Sequence, residues 1–147
     1  MVRYLCDLNV FLAGALAIHS GHERARAFFQ SLATGDTVEF CRATEIGFLR
    51  LLTQPIAEGY EPVSNRKARE ALGEWLALPY VKLALEPVGI ETLWPGLADR
   101  EKPSPKVWMD AWLAAFAIRA RMRLVTFDRG FERYRADGLD LLVLISD

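Results

Sequence analysis

At 147 residues, with 52% hydrophobic side chains, the chain has the size and apolar content of one packed domain, expected to span residues 1–147. Eighteen Lys and Arg against nineteen Asp and Glu leave a formal net charge of -1 and a pI near 6.1, so no global charge marks a nucleic-acid binder. Any contact with a polyanion needs a local basic rim or metal ions. No apolar run approaches the length that spans a bilayer, and the opening residues meet Asp7 too soon for a signal peptide, so no membrane and a cytoplasmic location are expected. Cys6 and Cys41 sit in apolar stretches without CxxC or Cys/His spacing and read as buried free thiols.

Residues 3–6 are strand formers that run into Asp7 and Asn9, both good helix-start residues. Residues 10–18 read as an alanine-rich helix, and 23–32 as a second helix with Ala25, Phe28, Phe29 and Leu32 on one stripe. Residues 37–41 form a strand candidate, and Thr44 is a suitable cap for a helix over 46–52. After a break at 54–62, Ser64 opens a helix that stops before Pro79, and 81–85 follow as a strand. Residues 90–98 read as helix despite Pro95. The segment EKPSPK at 101–106 is the clearest loop and a candidate flap. A strong helix at 107–121, a strand at 123–127, a helical turn at 130–134 and a strand at 141–145 complete the chain. Strands alternating with helices imply a three-layer α/β/α sandwich with a central, mainly parallel sheet.

In such a sheet the carboxyl ends of strands and the amino ends of the following helices share the edge where ligands bind. Asp7 ends the first strand and Asp128 closes RLVTF, so strand direction places both there. Glu45 lies in the first turn of its helix and shares a stripe with Phe48, Leu49 and Leu52; Asp110 does the same with Leu113, Ala114 and Ala117. Inward carboxylates are costly unless a cation joins them. Mg2+ or Mn2+, hard cations that accept carboxylate oxygens and keep waters for a phosphate, suit that place and phosphoryl chemistry. Loaded metal and a rim of Arg42, Lys102, Lys106 and Arg129 would then attract a phosphate backbone, and Trp108 beside the loop is a candidate substrate contact.

The segments YLCDLNVFLA, ATEIGFLRLLT, VWMDAWLAAFA and LVTFDRGF, in that order, resemble PIN-domain ribonucleases, specifically VapC-type toxins of toxin-antitoxin pairs. The resemblance carries the family's acids onto Asp7, Glu45 and Asp110, with a fourth at Asp128, and gives Asn9 and Thr126 supporting polar places. It implies an endoribonuclease toxin dependent on Mg2+ or Mn2+ that hydrolyses RNA phosphodiesters, with transfer or ribosomal RNA as typical targets. It also implies a homodimer and a hetero-oligomer with a VapB-type antitoxin. The fourth motif reads Thr-Phe-Asp where many relatives place another residue before the acid.

Each acid also has a plain structural reading, since a carboxylate in a first helical turn is stabilised by the helix dipole without any metal. A catalytically silent RNA-binding or scaffold PIN domain is the alternative function, and its expected signature is the loss of an acid. A phospho-accepting receiver domain would need an adjacent acid pair after the first strand, which this sequence lacks. His19 and His22 read as solvated loop residues without a third ligand, and most of the four tryptophans as core or interface.

Overall fold

Strand β1 (Arg3–Cys6) alternates its side chains between two apolar layers: Leu5 joins one core and Cys6 the other. The structure, a computed structural model, describes residues 1–145. The expected unit runs two residues past them. After β1 come α1 (Leu8–Ala15), α2 (His22–Gln30), β2 (Thr37–Phe40), α3 (Arg42–Leu52), α4 (Asn65–Leu76) and β3 (Val81–Leu83). Then follow α5 (Ile90–Leu97), α6 (Val107–Ala120), β4 (Arg123–Thr126), a 3-10 helix (Arg129–Asp137) and β5 (Asp140–Val143).

The strand order is β3-β2-β1-β4-β5 and all four pairings are parallel, so the sheet is parallel throughout among the described residues. Helices α1 to α4 cover one face around Phe11, Phe28, Phe48 and Leu72; α5, α6 and the 3-10 helix cover the other around Ile90, Phe116 and Phe131. This is the expected three-layer α/β/α sandwich. From β1 the chain winds outward through β2 to β3, then returns to lay β4 on the opposite side of β1. The order therefore reverses between β1 and β4, the topological switch point at which open parallel sheets bind ligands.

Two local expectations are corrected. Helix α3 starts at Arg42 with Cys41, not Thr44, at its cap position, because Cys41 holds the extended backbone (φ -111, ψ 170) that a cap requires. Thr44 serves from inside the first turn, where its hydroxyl accepts from the Cys41 N–H at 2.9 Å. The turn expected over 130–134 is a 3-10 helix of nine residues ended by Gly138 at φ 99, long for a geometry usually confined to short runs. Pro95 lies within α5 as expected. Both cysteines are buried and free, and burial, followed by the charge of Asp7, pushes the Cys6 thiol well above its ordinary range.

Candidate active site

The carboxyl ends of β1 and β4 lie side by side, with Cys6 paired to Val125 and the Asp7 N–H donating to the Val125 carbonyl at 2.9 Å. Asp7 therefore leaves the sheet next to Thr126, which is completely buried. The Thr126 hydroxyl donates to Oδ2 of Asp7 at 3.0 Å and accepts from the Asp128 N–H at 3.0 Å. One side chain thus links the acids that follow the two central strands. Asp7 occupies the cap position of α1, yet its carboxylate makes no capping bond to that helix. Asp128 does cap, accepting from the Gly130 N–H at 2.7 Å.

Burial raises Asp7 to about 6; the Thr126 hydroxyl and the Leu8 N–H oppose the rise, and the charges of Asp110 and Asp128 add to it. Asp110, half-buried in the first turn of α6, is raised by burial and by Asp128, against the opposing charges of Lys106 and Arg133. Three of the four expected acids therefore share one electrostatic field at the switch point. Tyr134 is buried, and its hydroxyl has no hydrogen-bond partner among the described residues; burial raises it, Arg133 and Arg100 pull it down, and Asp110 pushes it up.

Glu45 is placed differently. It is 5% exposed on the stripe with Phe48 and Leu52, as its helical phase predicts. Its Oε1, however, accepts from Arg42 Nη1 at 2.6 Å, so the cation beside it is a side chain of its own helix. Arg42, expected on the rim, is 72% exposed and spends its guanidinium on that pair. Asn9 is exposed in the first turn of α1 and faces a cleft shared with His19 and Gln54. Lys102, Lys106 and Arg129 are exposed as expected. Trp108 is 57% exposed, and its carbonyl accepts from the Trp94 indole N–H at 3.0 Å.

Sequence reasoning did not find Arg133, because a charge five residues after Asp128 reaches Asp110 only through the 3-10 geometry. It also misread the histidines. His19 is half-buried and stacks on Phe127 with ring centroids 5.9 Å apart, and His22 Nδ1 lies 2.7 Å from the Ala13 carbonyl. Gly21 was the available signal, since a Cβ there would sit 2.6 Å from the Phe127 ring.

The PIN domain family model matches residues 4–137, which take in every element bearing these acids. The chain belongs to the PIN-domain family. It is 42% identical to ribonuclease VapC41 of Mycobacterium tuberculosis over 95% of this chain and 97% of that one. Two solved structures share the fold at low identity. VapBC2 of Rickettsia felis, bound to a DNA fragment from its promoter, superposes with a TM-score of 0.69 at 13% identity, covering 98% of this chain and 100% of that one. VapC20 of M. tuberculosis, a Sarcin-Ricin loop cleaving toxin, gives 0.67 at 18% identity, covering 98% and 99%.

The donor set of this PIN domain fits a hard divalent cation. The ionised form of Asp7 is disfavoured by burial, Asp110 and Asp128, and that of Asp110 by burial and Asp128, a condition that a cation relieves. Among the described residues no three acid, histidine or cysteine side chains stand close enough to share one ion. A magnesium-type ion nevertheless needs only one or two carboxylates, with waters and substrate oxygens completing its shell. No helix among the described residues is long and apolar enough to cross a membrane.

Proposed function

We propose that this chain acts as one domain, the endoribonuclease toxin of a toxin-antitoxin pair, with Asp7 and Asp110 as the principal holders of Mg2+ or Mn2+ and Asp128 and Glu45 completing the acidic site. The observation that carries the reading is the Asp7 carboxylate, half-buried at the switch point, bonded to the Thr126 hydroxyl and raised by burial and by Asp110 and Asp128. Its setting is a chain 42% identical to a ribonuclease over nearly its whole length. A divalent cation there would supply the charge that activates water and stabilises the leaving oxygen of an RNA phosphodiester.

The chain's own groups do the rest. The Thr126 hydroxyl fixes Oδ2 of Asp7. The Gly130 N–H holds Oδ1 of Asp128. Lys106 and Arg133 temper the repulsion on Asp110, and with Lys102 and Arg129 they offer positive charge to an incoming phosphate backbone. The proposed partners are an RNA substrate, a second copy of the chain and a VapB-type antitoxin; the pairing of toxin with antitoxin in the Rickettsia felis assembly supports the last.

The Arg42–Glu45 pair is the one observation that favours the alternative, a non-catalytic RNA-binding PIN domain in which an internal cation stands in for metal. Incubating purified protein with structured RNA and Mg2+, with EDTA and Asp7→Asn controls, separates the two. The nuclease reading expects cleavage lost in both controls; RNA binding with no cleavage selects the alternative.

A further inference from the structure

A cleft of about 560 Å³ opens between α1 and the segment that follows α3, and its walls include Asn9, His19, Ser20, Gln54, Ile56 and Tyr60. We infer that this cleft is a base-recognition subsite that takes one unstacked RNA base next to the scissile phosphate; the inference rests on the nuclease reading above.

Three observations support it. The cleft adjoins the acidic site in two ways: Asn9 is two residues along the chain from Asp7, and the His19 ring stacks on Phe127, the residue between Thr126 and Asp128. None of the residues lining the cleft carries a formal charge, so beside a strongly acidic site it suits a neutral base and not a phosphate. Its polar groups are also those that read base edges. Asn9 and Gln54 expose side-chain amides, each offering a donor and an acceptor side by side, the pattern that pairs with a base edge in bidentate fashion.

His19 adds both a surface and a donor. Its Nδ1 accepts from the Gly21 N–H at 2.9 Å, which in the neutral ring puts the proton on Nε2. Burial, then Arg24 and His22, lower its pKa and favour that neutral ring. Phe127 backs the ring on one side and is itself held by the Arg24 guanidinium 4.9 Å from its centroid. Single-stranded RNA is commonly read this way, with a splayed base stacked on an aromatic ring and hydrogen-bonded along its edge.

The test uses loop-bearing RNAs that differ at one nucleotide, cleaved by the parent protein and by Gln54→Ala and His19→Leu. A lost bidentate contact is expected to lower kcat/KM for the preferred base about tenfold, mainly through KM, and to leave the other three bases within about twofold of the parent. Unchanged base preference in both variants overturns the subsite while the nuclease reading stands. In parallel, a short RNA carrying 4-thiouridine at successive positions is photo-crosslinked to the Asp7→Asn protein. Crosslinks at residues 18–20 or 54–60 support the subsite even if the parent proves unable to cleave, in which case the nuclease reading alone falls. Crosslinks confined to other segments overturn it, as does protection of these residues by a basic amphipathic peptide but not by RNA.

Discussion

The Thr126 hydroxyl donates to Oδ2 of Asp7 at 3.0 Å across 119 positions of sequence, and the same oxygen receives the Asp128 N–H. A buried group with both its donor and its acceptor roles filled is costly to remove, because each partner is left unsatisfied. Thr126→Val should destabilise the protein by about 1–3 kcal/mol in urea unfolding. It should also reduce Mg2+-dependent cleavage far more than any remote core change of equal cost. Thr126→Ser, which keeps the oxygen, should recover most of the activity; failure to recover would place the effect in packing.

Asp7 predicts a pH-dependent stability of unusual sign for a carboxylate. Its folded pKa of about 6 lies above the ordinary value of 3.8, so the folded state holds its proton to higher pH than the unfolded chain does. Metal-free protein should lose stability as pH rises from about 4 to about 6 and then level off, an effect of about 3 kcal/mol at most. Asp7→Asn removes the penalty. In EDTA the variant should melt above the parent at pH 8 and close to it at pH 4. Excess Mg2+ should raise the parent alone, because a ligand that binds only the folded state stabilises it. A parent that melts higher at pH 8 than the variant in EDTA would contradict the reading.

The Arg42–Glu45 pair makes a separate forecast. Arg42 is 72% exposed but its partner is buried, so Arg42→Gln leaves an inward carboxylate without its cation and should cost the metal-free protein about 1–3 kcal/mol. Freed of its partner, Glu45 becomes available to a divalent cation. Calorimetric titration with Mn2+ should then show tighter binding in Arg42→Gln than in the parent, and weaker binding in Glu45→Gln. Equal affinities in all three proteins would remove Glu45 from the metal site.

Gly21 tests the wall behind the site. A Cβ at this position meets the Phe127 ring at 2.6 Å, closer than a packed interior tolerates, and relief requires Phe127 to move. Gly21→Ala should cost about 1–3 kcal/mol and lower cleavage as well, since Phe127 is bonded to both Thr126 and Asp128. Gly73, with open space around its Cα, provides the control: Gly73→Ala should leave both quantities unchanged or raise stability slightly.

Much of this was legible in the residues because periodicity is local. The strands, the major helices and the inward phase of Glu45 and Asp110 all follow from spacings within one element, and sheet direction then brings Asp7 and Asp128 to one edge. The cation beside Glu45 was not legible, because Arg42 lies three residues away in a turn expected to start only after Thr44. Nor was the pairing of His19 with Phe127: a stack between residues more than a hundred positions apart leaves no trace in either neighbourhood. Thr126 came from family resemblance, and the structure supplies its physical role as the link between two acids. Asn9 came the same way, and it faces the neighbouring cleft instead of bonding to the acids.

The return of the chain to place β4 against β1 also sets when the site can exist. Asp7 is made 119 positions before Thr126. During synthesis β1, β2 and β3, three of the five strands, can assemble while Asp7 still lacks the Thr126 hydroxyl and its acidic neighbours. A nascent chain is therefore without the assembled acidic site until the segment that carries Thr126 and Asp128 has also left the ribosome. Under the proposed ribonuclease reading, that delay would keep the translating machinery apart from an active site until late in synthesis.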